Sequence, residues 1–206
     1  MGGPRVVVLD YGSGNLRSAQ RALARVGADV TVTADLGAAA LAAGLVVPGV
    51  GAYAACMGGV EALGAGPVIA NRVSSGAPVL GICVGMQILF DYGDEHGIVI
   101  KGLGLLPGGV TRLDAPRVPH MGWNTVEVPP GSTLFAGIPS EGRFYFVHSY
   151  AAHPATSANA GLLTTTVHGG PFVAAVEHGP LMATQFHPEK SGDHGADLLT
   201  NWLRTL

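Results

Sequence analysis

Pro78-Val79-Leu80-Gly81-Ile82-Cys83-Val84-Gly85-Met86-Gln87-Ile88-Leu89-Phe90 is the stretch around which the chain is organised. An apolar run of strand character (Val79, Leu80, Ile82) reaches a single cysteine with a glycine two residues to either side. A helix-like run follows with no proline or polar cluster between. Glycines at both flanks permit a sharp strand-to-helix turn, because no Cβ there meets neighbouring backbone. The pattern is a G-x-nucleophile-x-G elbow with cysteine in the nucleophile's place. A helix N-terminus beside Cys83 would favour the thiolate, the reactive form of the side chain. The Val84 N–H would point at the same spot, ready to donate to an oxyanion.

Upstream, Arg5 to Leu9 is a continuous apolar run that predicts a strand buried on both faces. Tyr11-Gly12-Ser13-Gly14-Asn15 predicts a turn, with Ser13 or Asn15 available to cap the next helix. On that helix Arg17, Arg21 and Arg25 recur at four-residue spacing, as on a solvated face. Gly12-x-Gly14 begins like a dinucleotide fingerprint, but Arg17 stands where the closing small residue belongs. Further strands are expected at Ala28–Thr33 and Gly44–Val47, with a short helix at Ala38–Ala43. Such βαβαβ alternation means a parallel sheet with helices on both faces. Pro48-Gly49-Val50-Gly51 follows the third strand directly, on the edge where such sheets bind ligands. Residues 53–75 read as mostly helical, with Cys56 a packing residue.

Downstream of Asp91 the texture changes to short strands punctuated by Pro and Gly. They are expected at Val110–Leu113, Thr125–Val128, Arg143–Val147, Leu162–Val167, Phe172–Glu177 and Leu181–Phe186, as an antiparallel extension of the same sheet. Gly195–Leu206 closes the chain as an amphipathic helix. The expected fold is therefore α/β: a three-layer, mostly parallel sheet with helices on both faces and an antiparallel extension, one domain over residues 1–206.

The final strand runs into His187-Pro188-Glu189-Lys190. Proline biases its predecessor towards extended geometry, so His187 should prolong the strand, and Glu189 should approach its imidazole from the same side. A carboxylate there holds the tautomer of a general base, which with Cys83 makes a nucleophile–base–acid set suited to thiol-based acyl transfer. The other histidines show no metal-ligand spacing.

Composition narrows the classes further. Charged residues make up 12% of the 206 and the net charge is −3, which speaks against nucleic acid or an acidic membrane as partner. Two cysteines, Cys56 and Cys83, fit a reducing cytoplasm. No apolar stretch has the length to span a bilayer.

Gly81-Ile82-Cys83-Val84-Gly85-Met86-Gln87 with His187-Pro188-Glu189 resembles the class I (triad) glutamine amidotransferase family. Pro48-Gly49-Val50-Gly51, Tyr11-Gly12-Ser13-Gly14-Asn15, His120-Met121-Gly122-Trp123-Asn124 and Phe146-Val147-His148-Ser149-Tyr150 are similar to the glutaminase subunits of imidazole glycerol phosphate synthases, nearly end to end. Val84 stands where leucine is frequent, and Ala151 where a second aromatic often follows Tyr150; neither removes a reacting group. The resemblance implies a Cys83, His187, Glu189 triad with no cofactor and no metal, and an oxyanion hole from Val84 with Val50 or Gly51. It implies L-glutamine held by Gly49, Gln87, His148, Ser149 and Tyr150. It also implies ammonia passed to a (β/α)8-barrel cyclase subunit in histidine biosynthesis, with Asn15, Met121, Trp123 and Lys190 on the rim facing it. Val50, bulky between glycines, is expected to turn its N–H away from the oxyanion until that partner docks. The alternatives are a glutaminase serving pyridoxal phosphate or purine synthesis, and a catalytically silent module that only binds a partner.

Overall fold

The computed structural model describes residues 2–153 and 161–206. In the first half, strands alternate with helices: β1 (Arg5–Leu9), α1 (Leu16–Arg25), β2 (Asp29–Thr33), α2 (Leu36–Leu41), β3 (Gly44–Gly49), the helix pair α3 (Tyr53–Leu63) and α4 (Gly66–Ser74), then β4 (Val79–Cys83). Strands β3 and β4 are buried along their whole length, as their unbroken apolar runs require when helices cover both faces. A four-residue α5 (Val84–Gln87) follows β4. The second half holds β5 (Phe90–Glu95), β6 (Ile98–Lys101), β7 (Leu106–Arg112), β8 (His120–Thr125), β9 (Arg143–His148), β10 (Tyr150–Ala152), β11 (Leu162–His168), β12 (Gly170–His178) and β13 (Leu181–Thr184). A 3₁₀ turn at Pro188–Lys190 leads into α6 (Gly192–Leu203).

The main sheet has seven strands in the order β11-β12-β13-β4-β3-β1-β2. From β13 to β2 every pairing is parallel, and β12 and β11 add an antiparallel flank. The expected architecture is present. The expected extension is smaller than foreseen, because β10-β7-β5-β6 and β8-β9 form two separate sheets. The strand expected at Thr125–Val128 lies earlier, at β8; beyond Thr125 only Glu127 bridges, to Thr165. The helix expected through Phe90 stops after one turn. The reason is tertiary: Leu103 and Leu105 donate backbone N–H groups to the Ile88 and Leu89 carbonyls at 2.8 Å each, drawing the chain into β5. No single described helix is long and apolar enough to cross a membrane.

A buried cation ties the central strands together. Arg72 on α4 is almost fully buried, and its guanidinium donates to the carbonyls of Ala39, Ala40, Ala42, Ala43 and Pro78 at 2.8–3.2 Å. Ala43 and Pro78 immediately precede β3 and β4, so one side chain anchors the entry of both. Loss of the donors leaves several buried carbonyls unsatisfied, each costing on the order of 1–3 kcal/mol. We expect Arg72→Leu to lower the unfolding free energy by at least about 3 kcal/mol, and Arg72→Lys, with fewer donors, to recover only part of it. Urea denaturation of the three proteins measures both.

Candidate active site

Cys83 ends β4 between two parallel neighbours. Gly49 of β3 lies opposite it in register, and on the other side Thr184 of β13 lies opposite Ile82. The carboxyl ends of β3, β4 and β13 thus bring Pro48–Gly51, Cys83 and His187 to one edge. The Cys83 backbone has φ 56° and ψ −116°, a conformation that costs a non-glycine residue on the order of 1–3 kcal/mol. The flanking glycines serve close approach rather than turn torsions. A Cβ on Gly85 would lie 1.9 Å from the Val47 carbonyl oxygen, and one on Gly49 would lie 2.4 Å from the Gly85 nitrogen. At four residues α5 is too short for the helix dipole expected from the sequence; what remains is the set of unpaired N–H groups of its first turn, Val84 among them.

His187 arrives differently from the expectation. Strand β13 stops at Thr184, and Pro188 starts a 3₁₀ turn containing Glu189. The carboxylate reaches the imidazole through that turn, not by strand alternation. His187 Nδ1 and Glu189 Oε1 are 2.7 Å apart, with both side chains almost completely buried. Ser191 clamps the turn: its hydroxyl donates to the His187 carbonyl at 2.6 Å and accepts from the Tyr145 N–H at 3.0 Å. With Nδ1 committed to Glu189, Nε2 is the nitrogen left for the sulfur. Burial works to lower the His187 pKa, but hydrogen bonds and charge from Cys83 and Glu189 outweigh it, raising it to about 9. The protonated imidazolium is thus the favoured form of His187 beside the sulfur.

A cavity of about 240 Å³ opens over this pair. Val50, Gly51, Cys83, Val84, Gln87, His148, Ser149, Tyr150, His187 and Lys190, all singled out in the sequence, line it, with Glu95 and Val147. Gly49 lies beneath, packed on Gly85. Asn15 is set apart, in a small void with Pro48, Gly49, Val50 and Glu189. Met121 and Trp123 stand out on β8, 66% and 53% exposed, and Lys190 Nζ sits 5.9 Å from the Tyr145 ring centre. A larger cavity of about 550 Å³, lined by Asn124–Val128, Phe135, Ile138 and Thr166 among others, contains no cysteine or histidine.

Three contributors were not anticipated. The Ser13 hydroxyl caps no helix; it accepts from the Val50 N–H at 3.3 Å and donates to the Val50 carbonyl at 2.9 Å. Cys56 is more than packing, since its sulfur lies 3.1 Å from Ser13 Oγ and 3.5 Å from the Val50 carbonyl. Gln185 Nε2 lies 3.8 Å from the Cys83 sulfur. The partners are far apart in sequence, so no local pattern marks these contacts; position directly before Phe186-His187 was the only available signal for Gln185.

Two further imidazoles behave oppositely to His187. Burial holds His148 down at about 3, with nearby imidazoles adding to the effect against a bond to the Tyr150 carbonyl. Burial and His168 hold His120 at about 4. An unfolded chain takes up protons near 6.5 that the folded one refuses, so these groups cost stability as pH falls from about 6.5 towards 3. Urea midpoints measured between pH 7 and 4.5 are expected to fall with pH, and to fall less steeply in His148→Phe.

Residues 7–206 match the class-I glutamine amidotransferase family. The chain is 64% identical over 201 residues to the imidazole glycerol phosphate synthase subunit HisH of Mycolicibacterium paratuberculosis, covering 98% of each chain. It is 62% identical over 209 residues to that of Thermobifida fusca, covering 98% of this chain and 99% of the other. Among solved structures, PurLQS from Thermotoga maritima superposes with a TM-score of 0.72 at 21% identity, covering 99% of each chain. The glutaminase domain of CTPS from Trypanosoma brucei gives 0.67 at 19%, covering 98% of this chain and 93% of that one; both similarities speak to the fold alone. The chain belongs to the class-I glutamine amidotransferase family, in the branch of the imidazole glycerol phosphate synthase HisH subunits.

Proposed function

We propose that this chain, as one glutaminase domain over residues 1–206, hydrolyses L-glutamine to glutamate and ammonia and hands the ammonia to a (β/α)8-barrel cyclase subunit that makes imidazole glycerol phosphate. The observation that carries the reading is the sulfur of Cys83 sharing a small cavity with an imidazole already paired to a buried carboxylate. The Cys83 thiolate attacks the side-chain amide carbon, and the oxyanion takes hydrogen bonds from the Val84 N–H and from the Val50 or Gly51 N–H. His187 gives its proton to the departing nitrogen, which leaves as ammonia. It then accepts a proton from water, which attacks the thioester and releases glutamate. Glu189 keeps Nδ1 protonated throughout.

Glutamine is held by Gln87, His148, Ser149, Tyr150 and the backbone at Gly49–Gly51. Both hydrogens of Gln87 Nε2 are committed, to the Tyr150 carbonyl at 2.8 Å and to Gln185 Oε1 at 2.9 Å. Its Oε1 is therefore the function on offer, an acceptor suited to the α-ammonium of the substrate. The barrel subunit docks over exposed Met121 and Trp123, with Asn15 and Lys190 as further contacts. Two free thiols accord with a cytoplasmic site of action.

The Val50 N–H is engaged by Ser13 and must turn to serve an oxyanion. One missing oxyanion donor costs about 10²–10³ in rate, enough for a switch, so hydrolysis by the chain alone is slow and rises when the partner and its ligand bind. Two measurements test the reading. Cys83→Ala is expected to abolish glutamine-dependent synthesis by the assembled enzyme while ammonia-dependent synthesis persists; loss of both, or of neither, overturns it. Equal glutaminase rates with and without the barrel subunit overturn the switch.

A further inference from the structure

We infer that Gln185 is a further catalytic residue, donating from its side-chain amide to the Cys83 sulfur, and that His120 is a positioning residue for the glutamine cavity. Both belong to one hydrogen-bond network between Asn124 and that sulfur, in which a donor run from Asn124 and the donating Gln87 amide meet at the Tyr150 carbonyl. The inference rests on the glutaminase reading above.

Each link has only one possible direction. The Thr125 N–H donates to Asn124 Oδ1 at 2.9 Å, so Nδ2 of Asn124 is the donor, to the Val167 carbonyl at 3.2 Å and to His120 Nε2 at 3.4 Å. His120 therefore carries its proton on Nδ1, which faces His148 Nε2 at 3.1 Å. From the other end, the Tyr150 carbonyl can only accept, so His148 Nδ1, 2.9 Å away, is protonated and its Nε2 is the acceptor that His120 needs. The two ends of the chain thus demand the same pair of tautomers. The Tyr150 carbonyl takes its second hydrogen bond from Gln87 Nε2, whose remaining hydrogen goes to Gln185 Oε1. That acceptor use turns the amide nitrogen of Gln185 towards Cys83. Reversing any amide or ring would set donor against donor or acceptor against acceptor.

The surroundings hold the chain rigid. Gln87, His120, His148 and Gln185 are all buried, where dipoles act with little screening. The His120 ring is stacked between Phe146 and His168, at centroid distances of 4.8 and 4.3 Å. Both imidazoles are kept neutral by burial, as the chain requires. At its far end Asn124 lies beside exposed Trp123 on β8. A donor to a buried thiolate stabilises the anion that attacks, and such contacts tighten once substrate is bound.

The test reads Cys83 directly, by site-resolved mass spectrometry of iodoacetamide alkylation of the full-length chain across pH. Gln185→Glu keeps the acceptor for Gln87 but turns a carboxylate oxygen to the sulfur. It is expected to slow Cys83 alkylation by about tenfold or more and to move its pH profile upward. Gln185→Met, neutral and of similar shape, guards against a misfolded first variant, and its expected slowing is intermediate; circular dichroism checks both folds. Wild-type alkylation in both variants overturns the role of Gln185. His120→Phe keeps the stack but removes both nitrogens, and is expected to raise KM for glutamine by about tenfold with kcat changed far less; a fall in kcat at unchanged KM overturns the positioning role. Alkylation needs no glutamine. A chain that responds as expected but leaves glutamine intact overturns the glutaminase reading and supports the Gln185 contact.

Discussion

The site depends on one contact, the approach of the elbow backbone to the end of strand β3. A Cβ on Gly85 would fall 1.9 Å from the Val47 carbonyl oxygen, and one on Gly49 would fall 2.4 Å from the Gly85 nitrogen. Neither clash can be relieved by a side-chain rotation, because backbone lies on both sides. With glycine at both positions, Pro48–Gly51 closes over Cys83, and the N–H groups of two different segments can face one sulfur. The same crowding holds Cys83 at its positive φ, a strain tolerated because β3 and β4 are buried and anchored at their entries by Arg72.

Burial by itself does not decide what an imidazole does here. His187 and His148 line the same cavity, and burial lowers the pKa of both. For His187, a carboxylate at 2.7 Å and the neighbouring sulfur reverse that effect and raise it to about 9. For His148, the neighbours are a carbonyl and other imidazoles, and it is held at about 3. One ring is ready to carry a positive charge beside the Cys83 sulfur. The other is a fixed neutral dipole in the cavity wall. Two rings of one residue type thus take opposite roles from their partners alone.

The loop at Val50 is gripped from below by a small polar group: Ser13 on both the N–H and the carbonyl, Cys56 on the carbonyl, and the buried Tyr11 hydroxyl on the Pro48 carbonyl. These are few and individually modest hydrogen bonds. A peptide so held has a defined resting orientation that a small gain elsewhere can reverse, which is the physical content of the proposed switch.

Much of this was legible in the chain itself. Apolar periodicity marked β1, β3 and β4, and with them a parallel sheet whose carboxyl edge carries Cys83 and the Pro48–Gly51 loop. The glycine spacing around Cys83 marked the elbow, and His187-Pro188-Glu189 marked an imidazole paired with a carboxylate. Periodicity did not foresee that α5 would end after one turn, because backbone groups of residues 103–105 capture it from outside. It also misplaced β8, whose partner β9 lies beyond an intervening loop. The sequence by itself determined which residue types stand at strand ends and how the elbow is spaced, since these follow from local torsions and alternation. Only the tertiary structure decided the link from Ser13 to Val50, the tautomers of His120 and His148, and the turning of Gln185 towards Cys83. A hydrogen-bond direction is set by every other donor and acceptor around it, and those partners converge from the loops after β1 and β3, from β4, α5, β8, β9 and β10, and from the end of β13 only after the sheets have packed.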